Sequence, residues 1–292
     1  MPSTFYSAPP HWHWLIVLYF FIGGLAGGCY FLAAAMDLFG GGRHRTVARL
    51  GYLVAFPAVV ICGALLTLDL TRPERFWHML LQSATWRPMF KAYSPMSVGA
   101  WALLAFGAFS LLSFLGARRE TGRWAVLRPP RPLGILISVL GGFFGAFLAG
   151  YTGVLLSVTN RPIWADTSLL GLVFLVSGAS TSAALLTLLG GSRVASDDTG
   201  RALARFDRWM LVLELLALVA LVASLGVVAR AWLDAWGALF ALGVVGVGIL
   251  APLVLYARTR EAAAGHGALA PVLVLVGGLL LRVVVIFSAE GL

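Results

Sequence analysis

Few of the 292 residues could do chemistry, and those few sit near the ends of long apolar runs. Two phenols (Tyr19 and Tyr151), one carboxylate (Asp69) and one guanidinium (Arg282) each lie within about six residues of the same end of such runs, or about 10 Å at 1.5 Å per residue. His78 follows Asp69 in a polar segment. A phenol can donate a hydrogen bond to a carbonyl oxygen, and a carboxylate or imidazole can accept a proton. Each residue also has a structural reading: an interfacial belt for the tyrosines, a cap or a pair with Arg72 for Asp69, snorkelling or a buried ion pair for Arg282. Glu214 and Asp37 lie toward the opposite side, where they would start a proton path.

Other chemistries are poorly served. A bis-His haem needs imidazoles on facing helices at membrane depth. His11 and His13 precede the first apolar run, His44 and His266 fall in loops on one side, and His78 in a loop on the other. P-loop, Rossmann and zinc spacings are missing. Cys29 and Cys62 lie inside apolar runs and form no CxxC, so they read as packed thiols. Neither haem nor metal is expected in this protein.

The elements that must position these groups are helices in a bilayer. The sequence is 60% hydrophobic and 11% charged, with a mean hydropathy of +0.91. Soluble domains carry about a quarter charged residues. A net charge of +9 would suggest nucleic acid in a soluble protein; here it reads as loop Lys and Arg kept on the cytoplasmic side, with no nucleic-acid partner. Eight stretches reach the roughly 20 residues a spanning helix needs: 14–38, 50–70, 95–116, 133–157, 166–190, 208–229, 236–257 and 269–288. The fold class is therefore all-α integral membrane protein, one domain over 1–292, with eight transmembrane helices. The first 13 residues hold no Lys or Arg, unlike the basic flank of a cleaved signal peptide.

Loop charge sets the orientation. One side carries Arg43, Arg45, Arg49, Arg118, Arg119, Arg123, Arg128, Arg131, Arg193, Arg201, Arg205, Arg208, Arg258 and Arg260. The other carries Arg72, Arg75, Arg87, Lys91, Arg161 and Arg230. The positive-inside rule then places both termini outside. Gly23-Gly24-Leu25-Ala26-Gly27-Gly28 and Ser177-Gly178-Ala179-Ser180-Thr181-Ser182 are small-residue faces that read as close helix packing. Their recurrence four spans apart hints at two four-helix bundles.

Several ordered segments resemble the NrfD/PsrC membrane subunits of molybdopterin and iron–sulfur oxidoreductases. They are His13-Trp14 with Tyr19 through Ala33, Leu68-Asp69-Leu70-Thr71-Arg72-Pro73-Glu74-Arg75-Phe76-Trp77-His78, Ser94-Pro95-Met96-Ser97-Val98-Gly99-Ala100-Trp101, Tyr151-Thr152-Gly153 and Asn160-Arg161-Pro162. The resemblance implies a haem-free anchor of a respiratory complex in the bacterial inner membrane. It would exchange electrons between a quinone, such as menaquinone, and a ferredoxin-like four-cluster iron–sulfur subunit at the outer face, with a molybdopterin catalytic subunit beyond. It also implies a quinone site to which Tyr151 contributes, and places Ile16 and Tyr19 where the polysulfide reductase branch offers an Asn and a His. The quinone-binding candidates are thus Tyr19, Tyr151, Asp69, His78 and Arg282; for proton transfer, Asp69, Glu214 and Asp37. Arg72, Arg75, Arg87 and Lys91 form a basic surface for an acidic partner. Two other readings stay open: a small-molecule transporter, to which Pro57 and Pro252 lend mild support, and a purely structural anchor.

Overall fold

The long apolar runs become helices because hydrocarbon offers backbone amides no partner except one another. The computed structural model describes residues 12–119, 122–196, 198–258 and 268–290; His11, Arg260 and His266 lie outside them. Among the described residues eight helices are long and apolar enough to cross a membrane: α1 Trp14–Phe39, α2 Arg45–Asp69, α3 Pro95–Arg118, α4 Pro132–Ser157, α5 Leu170–Ser196, α6 Asp198–Leu225, α7 Ala235–Arg258 and α8 Leu269–Ser288. No strand occurs among the described residues.

The ends differ from the hydropathy reading where helix continues into water. α6 begins at Asp198 rather than near 208, its first turns carrying Arg201 and Arg205 outside the apolar stretch, and Asp198 suits the positive end of the helix dipole. α5 starts at Leu170 rather than 166. There Asp166 accepts a hydrogen bond from the Ile163 amide, while Thr167 bonds Ser224 and accepts from the Leu169 amide, holding a turn before the helix. α7 contains a feature that no periodicity suggested: Leu239–Leu250 is π-helical.

α1 to α4 pack on one another as one four-helix bundle and α5 to α8 as a second, joined where α1 and α4 meet α5. The small-residue faces make that junction. A Cβ on Gly27 would come 2.1 Å from the Gly145 carbonyl oxygen of α4, and one on Gly28 2.3 Å from Ser182 Oγ of α5. Ser182 in turn donates to the Leu25 carbonyl of α1 at 3.2 Å. Both thiols are buried and free, as the sequence suggested.

Both described ends meet at one face. The Trp12 amide donates to a Glu290 carboxylate oxygen at 2.5 Å, and the Trp14 and Phe287 rings pack edge to face at 4.8 Å. Residues 70–94 fold over that same face between α2 and α3. A 3₁₀ turn, Pro73–Met79, starts this cap. Ser97 Oγ and Trp101 Nε1 of α3 both donate to the Met89 carbonyl and hold its far end.

Candidate functional site

Beneath the cap lies a cavity of about 680 Å³, walled by α1, α2, α3 and α4 and roofed by Phe76, Met79 and Leu80. Its size falls within the usual range for small-molecule sites. Most of the wall is apolar, but three of the sequence-predicted groups converge at the end beneath the cap: Tyr19 from α1, Asp69 from α2 and Tyr151 from α4. Trp12 and Ile16 complete the lining on the α1 side.

Local sequence places each group. Ser94 caps α3, accepting from the Ser97 amide at 3.4 Å, and Pro95 occupies the first turn, where its missing N–H costs nothing. Gly99 follows one turn later. A Cβ there would come 2.3 Å from the Tyr151 ring, so glycine lets the phenol lie across the start of α3. The Tyr151 hydroxyl donates to the Pro95 carbonyl at 2.5 Å, and Phe147 stacks on its other side at 5.6 Å. Tyr151 therefore presents an acceptor lone pair to the cavity, because its proton is engaged elsewhere. Tyr19 is 4% exposed and lies near both Tyr151 and Cys62.

Asp69 is the last residue of α2, where the helix dipole disfavours a carboxylate. It neither caps a helix nor pairs with Arg72 in the structure, and its Oδ1 is buried without a hydrogen-bond partner. Such a group is costly unless something occupies the space beside it. His13 stands close enough to act on its charge, a placement that the sequence motif did not reveal.

Two other predicted site residues are not brought to this cavity. His78 faces a separate shallow depression with Arg72 and Arg75. Its Nδ1 lies 3.1 Å from the Arg75 carbonyl and its ring stacks on Trp77 at 3.9 Å. Its polar segment doubles back in a 3₁₀ turn, which carries the imidazole away from Asp69. Arg282, 1% exposed, is buried where α8 and α5 meet α1. It donates to Ser177 Oγ at 2.6 Å and to the Gly278 carbonyl at 2.7 Å, with its guanidinium 5.0 Å from the Phe174 ring. It is a buried ionic group rather than a snorkelling one, at the expected depth but at the junction of α1, α5 and α8, its guanidinium beside Gly24 and the Phe21 ring of α1.

The two carboxylates expected toward the opposite side, Asp37 and Glu214, have different partners. Asp37 is paired with Arg128, which donates from Nε at 2.9 Å and from a terminal nitrogen at 3.3 Å, and the same guanidinium bonds the Arg45 carbonyl. Glu214 is 4% exposed and shares Ser177 with Arg282. About two turns nearer the start of α6, Asp207 accepts from Ser180 and Tyr256, each at 2.6 Å. Hydropathy misses Asp207 because it lies just before the apolar stretch of α6. Among the described residues no group of three or more His, Cys, Asp or Glu could hold a metal ion.

The basic residues of the cap, Arg72, Arg75, Arg87 and Lys91, are exposed. Trp77 and Trp86 stack face to face beside them at 5.3 Å, and Phe90 and Tyr93 are also exposed.

The family model described as "Polysulphide reductase, NrfD" matches residues 2–290. A polysulfide reductase polypeptide of Wolinella succinogenes is 29% identical over 310 residues, covering 96% of this sequence and 94% of that protein. Protein NrfD of Escherichia coli is 26% identical over 324 residues, covering 99% and 98%. A shorter match, 27% over 109 residues, links 37% of this sequence to 22% of a selenate reductase polypeptide of Mesobacillus selenatarsenatis. With eight spanning helices and a family match over nearly its whole length, the protein belongs to the NrfD family of membrane subunits of reductase complexes.

Proposed function

We propose that the protein exchanges electrons between a membrane quinone pool and an iron–sulfur subunit docked on its outer face, as part of a respiratory oxidoreductase of the bacterial inner membrane. The observation that carries this reading is the composition of the cavity: an apolar chamber with two phenols and a carboxylate gathered at one end, the carboxylate having an unpartnered buried oxygen. A quinone has the same polarity, an apolar ring edge and tail with hydrogen-bonding oxygens.

Quinol oxidation removes two protons and two electrons. One quinol hydroxyl is oriented by a hydrogen bond to Tyr151 Oη, whose own proton is held by the Pro95 carbonyl and which takes no proton itself. Asp69 Oδ1 takes the two quinol protons one after the other, passing the first on through His13 to the outer face before it takes the second. The two electrons leave to the iron–sulfur partner over the cap; quinone reduction runs the same steps in reverse. A menaquinone or a ubiquinone satisfies this chemistry. The exposed Arg72, Arg75, Arg87 and Lys91, with Trp86, Phe90 and Tyr93 among them, favour a partner with an acidic rim and an apolar centre. The names polysulfide reductase and selenate reductase support a catalytic partner beyond it.

Glu214 remains a candidate for an inner proton path and the structure adds Asp207 near it in the second bundle, whereas Asp37 is better accounted for by its pair with Arg128. The test of the central reading is quinol:acceptor activity of the intact complex with Asp69→Asn, which keeps the shape of the side chain and removes the base. Lost turnover with normal assembly supports the reading, and unchanged turnover rejects this carboxylate as the acceptor.

A further inference from the structure

The cavity is far longer than a quinone ring requires. Its lining follows α3 from Met96 to Leu111 and α2 from Asp69 to Phe56. At 1.5 Å per residue that is about 20 Å into a hydrocarbon core of about 30 Å. All hydrogen-bonding side chains but Thr67 are at the outer end, and Thr67 Oγ1 is engaged by the Gly63 carbonyl of its own helix. Along the rest, α2 and α3 stand apart enough for Val60, Leu104 and Leu111 to line the space while staying exposed toward the bilayer. The inner end is closed where Phe56 meets Phe114, ring centres 5.3 Å apart.

Two glycines mark the middle of this groove. Gly63 of α2 and Gly107 of α3 both line it. A Cβ built on either meets nothing within 4 Å, in contrast to Gly27, Gly28 and Gly99, where helix contacts or the tyrosine ring fill the space. Neither has a positive φ. Glycine inside a helix costs about 1 kcal/mol relative to alanine, and here neither packing nor backbone conformation requires it. What the two glycines do is keep the groove wide.

We infer that the groove between α2 and α3 holds the isoprenoid tail of the quinone, which enters sideways from the bilayer, and that Gly63 and Gly107 set its width. The inference rests on the quinone reading above, which already takes a membrane quinone, and adds the path of its tail and the two residues that set the width of that path. The occupant follows from continuity: the groove is the same cavity whose outer end carries Tyr19, Asp69 and Tyr151, so a molecule with its oxygens there must direct its apolar remainder downward.

The experiment measures equilibrium binding to the full-length protein in lipid nanodiscs, read by quenching of tryptophan emission, to which Trp12 in the cavity wall contributes. One probe is menadione, which has no tail; the other is a long-tailed menaquinone. Gly63→Leu and Gly107→Leu should leave menadione affinity within about twofold and weaken the tailed probe about tenfold or more, a difference of about 1.4 kcal/mol. If a leucine variant fails to insert, the double variant Gly63→Ala with Gly107→Ala serves, with an expected loss for the tailed probe of about threefold. Equal weakening of both probes, or of neither, overturns the tail assignment while the quinone reading stands. A wild-type protein that binds neither probe overturns both.

Discussion

The hydroxyl of Tyr151 on α4 donates to the carbonyl of Pro95 on α3 at 2.5 Å. This one bond joins two helices at the mouth of the cavity and fixes the direction in which the phenol can act. Tyr151→Phe keeps the ring and removes both the bond and the acceptor oxygen. Turnover of quinol by the intact complex should fall roughly 5- to 150-fold, corresponding to about 1–3 kcal/mol, with the composition of the complex on a gel unchanged. Wild-type kinetics would exclude the phenol from the reaction.

Gly99 is the partner of that geometry. A methyl at Gly99 would collide with the Tyr151 ring, so Gly99→Ala should lower turnover to within about threefold of Tyr151→Phe. Because the two residues act through one ring, the double variant should fall no further than the worse single one. Additive losses would separate them.

Asp37 and Arg128 form a bidentate pair with side chains 6% and 3% exposed. Removing one partner of such a pair costs on the order of 3–5 kcal/mol. Asp37→Ala should therefore reduce the amount of folded protein in membranes and its thermal midpoint, whereas Asp37→Leu with Arg128→Met should recover much of both. A variant that assembles normally but loses only turnover would instead return Asp37 to proton transfer.

Much of this was legible in the sequence because bilayers impose simple rules. Length and hydropathy mark the eight spans, and depth along them brings Tyr19, Asp69 and Tyr151 to one end of the bundle. Depth says nothing of facing, however. Arg282 shares their level yet is held at the junction of α1, α5 and α8, against Ser177 and Gly24, and does not line the cavity. His78 lies within a 3₁₀ turn whose path no apolar period records. Gly99, Gly63 and Gly107 read alike as glycines in helices, although the first accommodates a ring and the other two leave open space. Asp207 and the inner part of α6 escaped because hydropathy detects the membrane and not the helix.

The loop charges predict that the cap faces outward, away from the cytoplasm. Cys29 and Cys62 are both buried, so a single cysteine at exposed Arg87 can be read against a low background. In intact cells with a permeable outer membrane, Arg87→Cys should react with a membrane-impermeant maleimide. Reaction only after the inner membrane is opened would invert the topology.

The central claim is that the quinone occupies the first bundle, beneath the cap and between α1, α2, α3 and α4. Photolabelling of the intact complex with an azidoquinone, followed by peptide mapping, addresses it directly. Label should fall on peptides carrying Met79, Met96 and Leu103, which line the cavity, and should be displaced by unlabelled menaquinone. Displaceable label confined to α5 through α8, around Glu214 and Arg282, would contradict the account.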